Sequence, residues 1–351
     1  MRNYAFCCIL PDLAYSVGIV GASGYTGAES LRLVAGHPAL EIAVATSREF
    51  AGQAVSSVYP NLQTDLAFTQ VDLDQLGGLD LVLLALPHGA SAEVAEELSR
   101  SSCRIVDLSA DFRFSDPSIY QEWFGRKHPT HGSLPGWIFG LPELYRDQIA
   151  HATKVANPGC YPTSALLALA PFVEAGAIDL KHIVVTAASG VSGAGRSASP
   201  GVHFSHVDSN FKPYGAPKHK HTPEIEQELS RIAGEQVTIT FVPHLAPMPR
   251  GLLSTAIVPY SSDTDPMSLL AEAYASEPFV KVLEGWPETK FTSGSNLALV
   301  SARLDERTGN LITCCAIDNL GKGAAGQAIQ NANLMLGLEE TAGLMGGGIY
   351  P

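Results

Sequence analysis

The stretch Val17-Gly18-Ile19-Val20-Gly21-Ala22-Ser23-Gly24-Tyr25-Thr26-Gly27 decides the fold of this chain. Its first four residues predict a buried strand, its glycines a tight turn, and the apolar spacing over residues 28–35 a helix. In this GxxGxxG spacing, small residues let backbone amides approach a pyrophosphate at the helix N-terminus. A plain tight turn is the alternative interpretation. The stretch predicts a Rossmann-type dinucleotide site made by Gly21, Ala22, Ser23, Gly24, Tyr25, Thr26 and Gly27.

Polar and turn residues follow the next two strand patterns, at the edge where parallel sheets bind ligands. Residues 41–45 end at Thr46-Ser47-Arg48, about 20 residues after the glycines, where an NAD enzyme places an acidic side chain on the ribose. An arginine in place of the acidic side chain favours a 2′-phosphate on the ribose, so the end of this strand pattern predicts NADP(H) as the cofactor. Residues 80–86 predict a buried strand that brings Leu86, Pro87 and His88 to the same cofactor.

A fourth strand pattern, residues 104–109, leads to Arg113. A guanidinium at a strand end can bind a carboxylate or phosphate in bidentate fashion, and a solvated surface arginine is the alternative. We predict that Arg113 binds the substrate. Further on, His128 and His131 lack neighbouring carboxylate or cysteine ligands, so the sequence predicts no metal site.

A single cysteine lies on a turn in Val155-Ala156-Asn157-Pro158-Gly159-Cys160-Tyr161-Pro162-Thr163-Ser164. A short strand precedes the turn and an apolar helix follows it, so Cys160 is expected beside unpaired helix amides. Those amides and the helix dipole favour a thiolate, the form that attacks a carbonyl carbon. A buried, inert thiol is the alternative. We predict that Cys160 is the nucleophile of an enzyme.

The pattern changes after this helix, because strands now outnumber helices. They are expected at residues 183–188, 237–242, 252–259, 297–304 and 311–317. This predicts an α+β second domain with one mixed or antiparallel sheet. The glycine-rich loop of residues 189–196 suits a cofactor or anion through its backbone amides, with a flexible surface loop as the alternative. From this loop we predict cofactor contacts at Ser189, Gly190 and Gly193, and a substrate contact at Arg196.

Two histidines occur in Lys218-His219-Lys220-His221-Thr222-Pro223-Glu224-Ile225, just before a predicted helix with Thr222 as its N-cap. Because residues of an extended backbone alternate in direction, only one of His219 and His221 is expected to face Cys160. The flanking lysines lower a histidine pKa and keep the ring neutral, as a base requires. A solvated basic loop is the alternative.

Composition excludes several classes of protein. The chain has 351 residues, 46% of them apolar, and a formal charge of -13, which suggest roughly two globular domains and argue against a nucleic-acid partner. Six cysteines without CxxC spacing favour a reducing, cytoplasmic setting. No apolar run is long enough to span a membrane, and residues 1–15 resemble no signal peptide. We predict that residues 1–15 are an N-terminal extension.

The chain resembles the N-acetyl-gamma-glutamyl-phosphate reductases of arginine biosynthesis from Val17 onward. The resemblance rests on seven motifs: residues 21–27, Ala85-Leu86-Pro87-His88-Gly89, Asp111-Phe112-Arg113, Pro158-Gly159-Cys160-Tyr161-Pro162-Thr163, residues 189–196, residues 219–225 and Asp318-Asn319-Leu320-Gly321-Lys322-Gly323. Lys220 departs from the family pattern, in which arginine is commoner. The resemblance implies Cys160 as the nucleophile and His219 as the base, Asn319 at the cofactor, and Asn157 and His221 at the substrate.

The resemblance also implies that the C-terminal helix returns to the first domain. The expected division is a Rossmann domain of residues 16–156 plus 319–351, with an inserted catalytic and oligomerisation domain of residues 157–318. The expected substrate is N-acetylglutamyl phosphate, reduced by NADPH through a cysteine thioester, in a homodimer or homotetramer. Aspartate-semialdehyde dehydrogenase and aminoadipyl-phosphate reductase are rivals with the same mechanism. A nicotinamide-binding regulator would need neither Cys160 nor His219, and a cysteine hydrolase would not need the glycine fingerprint.

Overall fold

The computed structural model describes residues 14–130 and 136–350. The N-terminal extension falls mostly outside them, as do Cys7, Cys8 and His131. Tyr15 already begins the first strand, so the ordered pattern starts inside the stretch assigned to the extension. Within the described residues, no helix is long and apolar enough to cross a membrane.

The first half of the chain forms a six-stranded parallel sheet in the order β2-β1-β3-β4-β6-β5. Its strands are β1 Tyr15–Val20, β2 Leu40–Ala45, β3 Leu81–Leu84, β4 Arg104–Asp107, β5 Ile138–Phe139 and β6 Lys154–Ala156. Its helices are α1 Tyr25–Ala35, α2 Val55–Val58, α3 Leu73–Gly77, α4 Ala90–Leu98, α5 Pro117–Phe124 and α6 Pro142–Ala150. The central strand β3 is buried along its whole length, as its continuous apolar sequence requires in a sheet covered on both faces.

The second half forms a seven-stranded mixed sheet in the order β11-β12-β13-β10-β7-β9-β8. Its strands are β7 Ile183–Ser189, β8 Lys212–Pro213, β9 Ile239–Leu245, β10 Leu252–Pro259, β11 Val280–Val282, β12 Ala298–Asp305 and β13 Asn310–Ile317. Its helices are α7 Cys160–Glu174, α8 Phe204–Val207, α9 Thr222–Ala233 and α10 Pro266–Ala273. The predicted class, a Rossmann-type α/β domain with an α+β domain and a mixed sheet, is confirmed.

Helix α7 is the centre of the second half. Every residue from Tyr161 to Val173 is buried, and the helix packs with β10 and β13 in one apolar core. The other face of this sheet leaves Val184 and Ile257 partly exposed, side by side in the β7/β10 register. The helix therefore holds its N-terminal residue, Cys160, on a rigid support.

The chain ends with a π-helical turn, Gly321–Ala325, followed by α11 Gly326–Met335. Ala328, Ile329 and Ala332 of α11 pack in the same apolar cluster as Val17 and Leu83 of the first sheet. The C-terminal helix thus lies in the core of the first half, although most of the second half precedes it in the sequence.

Candidate active site

The glycine turn presents the N-terminus of α1 without a competing side chain. Gly24 precedes the helix and makes no side-chain cap, and the first turn of the helix carries no acidic residue. Gly21 has φ +82°, and a Cβ on it would come within 2.5 Å of Ala85 O. Only glycine fits this approach, so the helix amides remain directed at an anion.

The end of β2 lies against the same turn. Gly21 N donates to Thr46 Oγ1 at 3.3 Å, and Ser47 Oγ donates to Ser23 Oγ at 2.8 Å. Arg48 is exposed beside them. The structure therefore brings together the glycine turn and the three residues predicted to select the 2′-phosphate.

The loop of Leu86, Pro87 and His88 is fixed by the carboxylate of Asp111, which belongs to one of the family motifs but was given no role from the sequence. Asp111 accepts Gly89 N at 2.7 Å and Ala92 N at 3.1 Å, which caps α4. Ala110 N donates to His88 Nδ1 at 3.0 Å. The loop lies at the carboxyl end of β3, next to the glycine turn.

Cys160 begins α7, and its turn is held by a buried ion pair. Glu224 accepts Gly159 N at 2.8 Å with one oxygen and Arg113 Nη1 at 3.1 Å with the other. Arg113 also donates to Asn157 O and to Leu108 O, both at 2.8 Å. Three of the five N–H groups of its guanidinium are therefore bound to the chain itself.

The expected resting thiolate is not what the surroundings of Cys160 favour. Burial raises the pKa of the thiol to about 11, although the Tyr161 amide and the Arg113 charge act in the opposite direction. Glu224 adds to the rise. Cys160 as a whole is half-buried, but loss of solvation around the sulfur outweighs the helix amides and favours a thiol at rest.

Both histidines contact residues of the cysteine turn, and which of them faces Cys160 stays a prediction. Their ring centroids are 5.1 Å apart, and they lie 5.5 Å (His219) and 5.8 Å (His221) from the Tyr161 ring. The backbone is not extended here, because Thr222 N donates to His219 O in a turn. A Cβ on Gly159 would come within 2.4 Å of His221 Nε2.

The histidine rings are neutral, as predicted. Burial, aided by Lys220, lowers the pKa of His219 to about 4. Burial also lowers the pKa of His221 well below its usual value, and the neighbouring His219 and Arg113 lower it further.

Helix α9 begins at Thr222, so His221, not Thr222, occupies the N-cap position. Within residues 14–130 and 136–350, His221 Nδ1 has no hydrogen-bond partner.

Two tyrosines beside the histidines were missed at the sequence level. Tyr214 OH donates to Tyr161 OH at 3.0 Å, which donates to His244 O at 3.2 Å. The Tyr214 ring contacts that of His219, with centroids 5.3 Å apart. Tyr161 was visible in the cysteine motif, but nothing in the sequence placed Tyr214 next to it.

Two of the predicted substrate residues make other contacts. Asn157 is buried, donating to Ala324 O at 3.1 Å and accepting from Asn331 Nδ2 at 3.0 Å. Arg196 Nη1 donates to Ser23 O at 3.3 Å, and its guanidinium lies 4.7 Å from the centre of the Phe50 ring. Asn157 therefore joins chain segments behind the cysteine, and Arg196 lies with the glycine turn.

The loop of residues 189–196 borders a cleft between the two halves. Asn319 Nδ2 donates to Ser192 Oγ at 2.9 Å, and Asn319 Oδ1 accepts Gly251 N at 2.8 Å. A cleft of about 530 Å³ is lined by Tyr25, the loop and Arg250, among others. The predicted cofactor residues Ser189, Gly190, Gly193 and Asn319 do not line this cleft themselves, but they adjoin Val191, Ser192 and Leu320, which do. Among the described residues, no group of three or more His, Cys, Asp or Glu side chains could hold a metal.

Comparisons with known proteins agree with this arrangement. Residues 16–152 match the family model of the semialdehyde dehydrogenase NAD binding domain, and residues 160–319 match that of the semialdehyde dehydrogenase dimerisation domain. A protein of Pelotomaculum thermopropionicum named N-acetyl-gamma-glutamyl-phosphate reductase is 44% identical over 347 residues, covering 97% of this chain and 100% of the relative. A protein of Desulforudis audaxviator with the same name is 47% identical, covering 95% and 99%.

Solved structures show the same fold. The aspartate semialdehyde dehydrogenase II of Vibrio cholerae, complexed with ASA, superposes with a TM-score of 0.71 at 18% identity, over 92% of this chain and 98% of that one. The aspartate semialdehyde dehydrogenase of Candida albicans with NADP superposes with a TM-score of 0.64 at 15% identity, over 92% and 99%.

Proposed function

Since the chain belongs to the N-acetyl-gamma-glutamyl-phosphate reductase family, we propose that it reduces N-acetyl-gamma-glutamyl phosphate to N-acetyl-L-glutamate 5-semialdehyde and phosphate with NADPH. The reaction is reversible and belongs to arginine biosynthesis. The observation that carries the proposal is the position of Cys160, at the start of α7 and beside two neutral histidines. A thiol there can form the thioester that this reduction needs.

The residues at the glycine turn fit NADP(H). The free N-terminus of α1 suits the pyrophosphate, and the space at Gly21 and Gly24 would be reduced by any side chain. Arg48 and Arg196 supply positive charge near Ser23 and Ser47, where a 2′-phosphate would bind. Arg196, predicted as a substrate ligand, is thus assigned here to the cofactor.

Cys160 and His219 share the first half of the reaction. The sulfur attacks the acyl carbon, the C–S bond forms, and the C–O bond to phosphate breaks, while the thiol proton moves through the neutral imidazole to the departing phosphate. When bound, NADPH would supply a hydride to the acyl carbon. The resulting thiohemiacetal oxyanion would collapse to the aldehyde, and the leaving thiolate would take a proton from solvent through His219, which is the proton that the overall reduction consumes.

Arg113, His221 and the helix amides support these steps. The Tyr161 amide lies at the sulfur and can donate to an oxyanion on the neighbouring carbon. Among the residues that the structure describes, no hydrogen bond engages two of the five N–H groups of Arg113, and the guanidinium lies against Gly159, so it can meet the leaving phosphate. His221 binds the substrate, and Asn157 acts indirectly by fixing the turn.

The test is a phosphate-dependent assay of NADP reduction with N-acetylglutamate semialdehyde, run beside aspartate semialdehyde and beside NAD. We expect preference for the first substrate and for NADP. Arg48→Ala should selectively weaken the use of NADP, and Cys160→Ser should nearly abolish turnover while cofactor binding persists. Faster turnover of aspartate semialdehyde would contradict the substrate, and equal efficiency with both cofactors would contradict the cofactor.

The assembly and location follow from the same reasoning. The second sheet leaves Val184 and Ile257 exposed in a domain that matches a dimerisation model, so the protein acts as a homodimer or homotetramer joined through that sheet. A reactive Cys160 needs a reducing compartment, and Cys103, Cys314 and Cys315 are also free thiols, which suits the cytoplasm.

A further inference from the structure

Arg250 connects the two halves of the molecule through a pair of carboxylates. It lies just before β10 and borders the cofactor-sized cleft. Its Nη1 and Nη2 donate to the two oxygens of Glu29, at 3.2 and 2.9 Å, in bidentate fashion. Its Nε lies 2.9 Å from Asp318 Oδ2. Glu29 belongs to α1 and Asp318 follows β13, so one guanidinium binds both halves.

Asp318 leads from Arg250 to the cysteine. Its carboxylate accepts Leu320 N at 2.8 Å and Gly321 N at 3.1 Å, and so fixes the start of the π-helical turn. Two residues later, Gly323 lies against Cys160: a Cβ on Gly323 would come within 2.8 Å of Cys160 Cβ. The path from α1 to the nucleophile therefore runs through Glu29, Arg250 and Asp318 to Gly323, whose N–H donates to Asp318 O at 2.9 Å and which lies against Cys160.

The neighbouring backbone adds a second connection at the same place. Gly251 N donates to Asn319, Gly251 O accepts Gly190 N at 2.8 Å, and Val191 N donates to Met248 O at 2.9 Å. The loop of residues 189–196 is thus held on the segment that carries Arg250. Displacement of this segment would move the cleft wall and the cysteine support together.

We propose that Arg250 is a positioning residue that fixes the N-terminus of α1, where the cofactor binds, relative to Cys160. This inference rests on the proposed function, because the separation matters only if a hydride passes between the cofactor and an acyl group on Cys160. Hydride transfer depends steeply on such a separation, so a small displacement slows it strongly. Arginine is required because only its planar fork can bind Glu29 bidentately while Nε reaches Asp318.

Arg32 is the matched control in the same cluster. It also binds Glu29 bidentately, at 2.7 and 3.2 Å, but both residues belong to α1. Removing Arg32 takes the same charge from Glu29 without breaking a connection between the halves. Arg250→Gln and Arg32→Gln therefore differ in the one property that the proposal concerns.

The experiment compares wild type, Arg250→Gln, Arg250→Lys, Glu29→Gln and Arg32→Gln. The first measurement is kcat together with its primary isotope effect on replacing NADPH by 4-deuterated NADPH. Two further measurements require no turnover: the NADP dissociation constant by calorimetry, and the rate at which iodoacetamide alkylates Cys160. We expect Arg250→Gln to lower kcat roughly 10- to 100-fold, with a larger isotope effect as hydride transfer becomes limiting.

Glu29→Gln and Arg250→Lys should show the same change to a smaller degree, and they replace Arg250→Gln if that variant does not fold. Alkylation and NADP affinity should stay within a few fold of wild type, and Arg32→Gln should match wild type throughout. Unchanged kcat and isotope effect in the Arg250 variants would overturn the inference. An equal loss of kcat in Arg32→Gln would also overturn it. So would parallel losses of the alkylation rate and of NADP affinity in the Arg250 variants, because these indicate general damage to the fold. If the wild type reduced a different acyl phosphate, the proposed substrate would be wrong, but the inference about Arg250 would not be affected. The same variants would then be compared with that acyl phosphate as the substrate.

Discussion

At the scale of single residues, the surroundings of the proposed catalytic pair favour a thiol and a neutral imidazole at rest. The pKa of Cys160 is raised to about 11 and that of His219 lowered to about 4, both chiefly by burial. An ion pair of thiolate and imidazolium is therefore disfavoured near neutral pH. The proton leaves the sulfur as the substrate is attacked, which protects the thiol from other electrophiles.

The alkylation rate of Cys160 should report this protonation state. Because only the thiolate reacts and the raised pKa leaves it scarce below about pH 11, the rate with iodoacetamide should rise about tenfold per pH unit between pH 7 and 10. The measurement is the modified fraction of the Cys160 peptide by mass spectrometry. A rate that levels off by pH 8 would show instead that the helix amides prevail.

The two histidines should differ in their effect on turnover. His219→Asn should lower kcat roughly 10²- to 10⁴-fold, the range for a lost general base, whereas His221→Asn should act mainly on the KM of the substrate. Exposed His182, which pairs with Asp179, supplies the control His182→Asn. If His221→Asn removes kcat and His219→Asn does not, the two roles are exchanged.

The sequence predicted the residues that we propose to react, but not their surroundings. Cys160 and the histidines were visible from turn and helix signals within ten residues of each. Glu224 supports Gly159 across 65 positions in the chain, and Arg196 reaches Ser23 across 173. Contacts of that span depend on how the two halves pack, which no local pattern records. The thiol pKa was misjudged for the same reason, since burial is a property of the packed molecule.

At the scale of elements, the π-helical turn is shaped to the cysteine. It accepts only glycine at position 323, because the Cys160 side chain occupies the space that a Cβ would need. A π-helical turn of this kind is often found at a functional site. The turn was not predictable from periodicity, whereas the strands β10 and β13 were predictable as runs rich in apolar and β-branched residues.

Gly323→Ala should displace Cys160 and impair catalysis. The added methyl would overlap Cys160 Cβ at 2.8 Å, so we expect at least a tenfold loss of kcat and a destabilisation of about 1–3 kcal/mol. Gly285→Ala is the matched control, since a Cβ there meets nothing within 4 Å. Activity and thermal denaturation of both variants check the expectation. Equal behaviour of the two would mean that the turn yields without moving the cysteine.

At the scale of the whole molecule, the exposed face of the second sheet should join subunits. Val184 and Ile257 are 38% and 40% exposed and are adjacent across β7 and β10. Buried apolar neighbours of this kind stabilise an interface, and a charge introduced between them is costly. The first half offers Val71, 44% exposed, as a comparison site.

Ile257→Glu should therefore shift the mass in solution to that of a single 37.1 kDa chain. Light scattering after size-exclusion chromatography measures this directly, with Val71→Glu expected to keep the mass of wild type. A wild type already at 37.1 kDa would contradict the assembly. A mass for Ile257→Glu equal to that of wild type would place the interface on another surface.

The position of α11 has a consequence for synthesis on the ribosome. Ala328, Ile329 and Ala332 complete the core around Val17 and Leu83, so the nascent first half lacks part of its interior until the last residues emerge. At roughly 5–20 residues per second, the intervening second half takes on the order of ten seconds to make. During that interval the second half can fold first, and the first half must stay partly open, exposing apolar strands that a chaperone would bind. We therefore expect the second half to fold before the first half is complete.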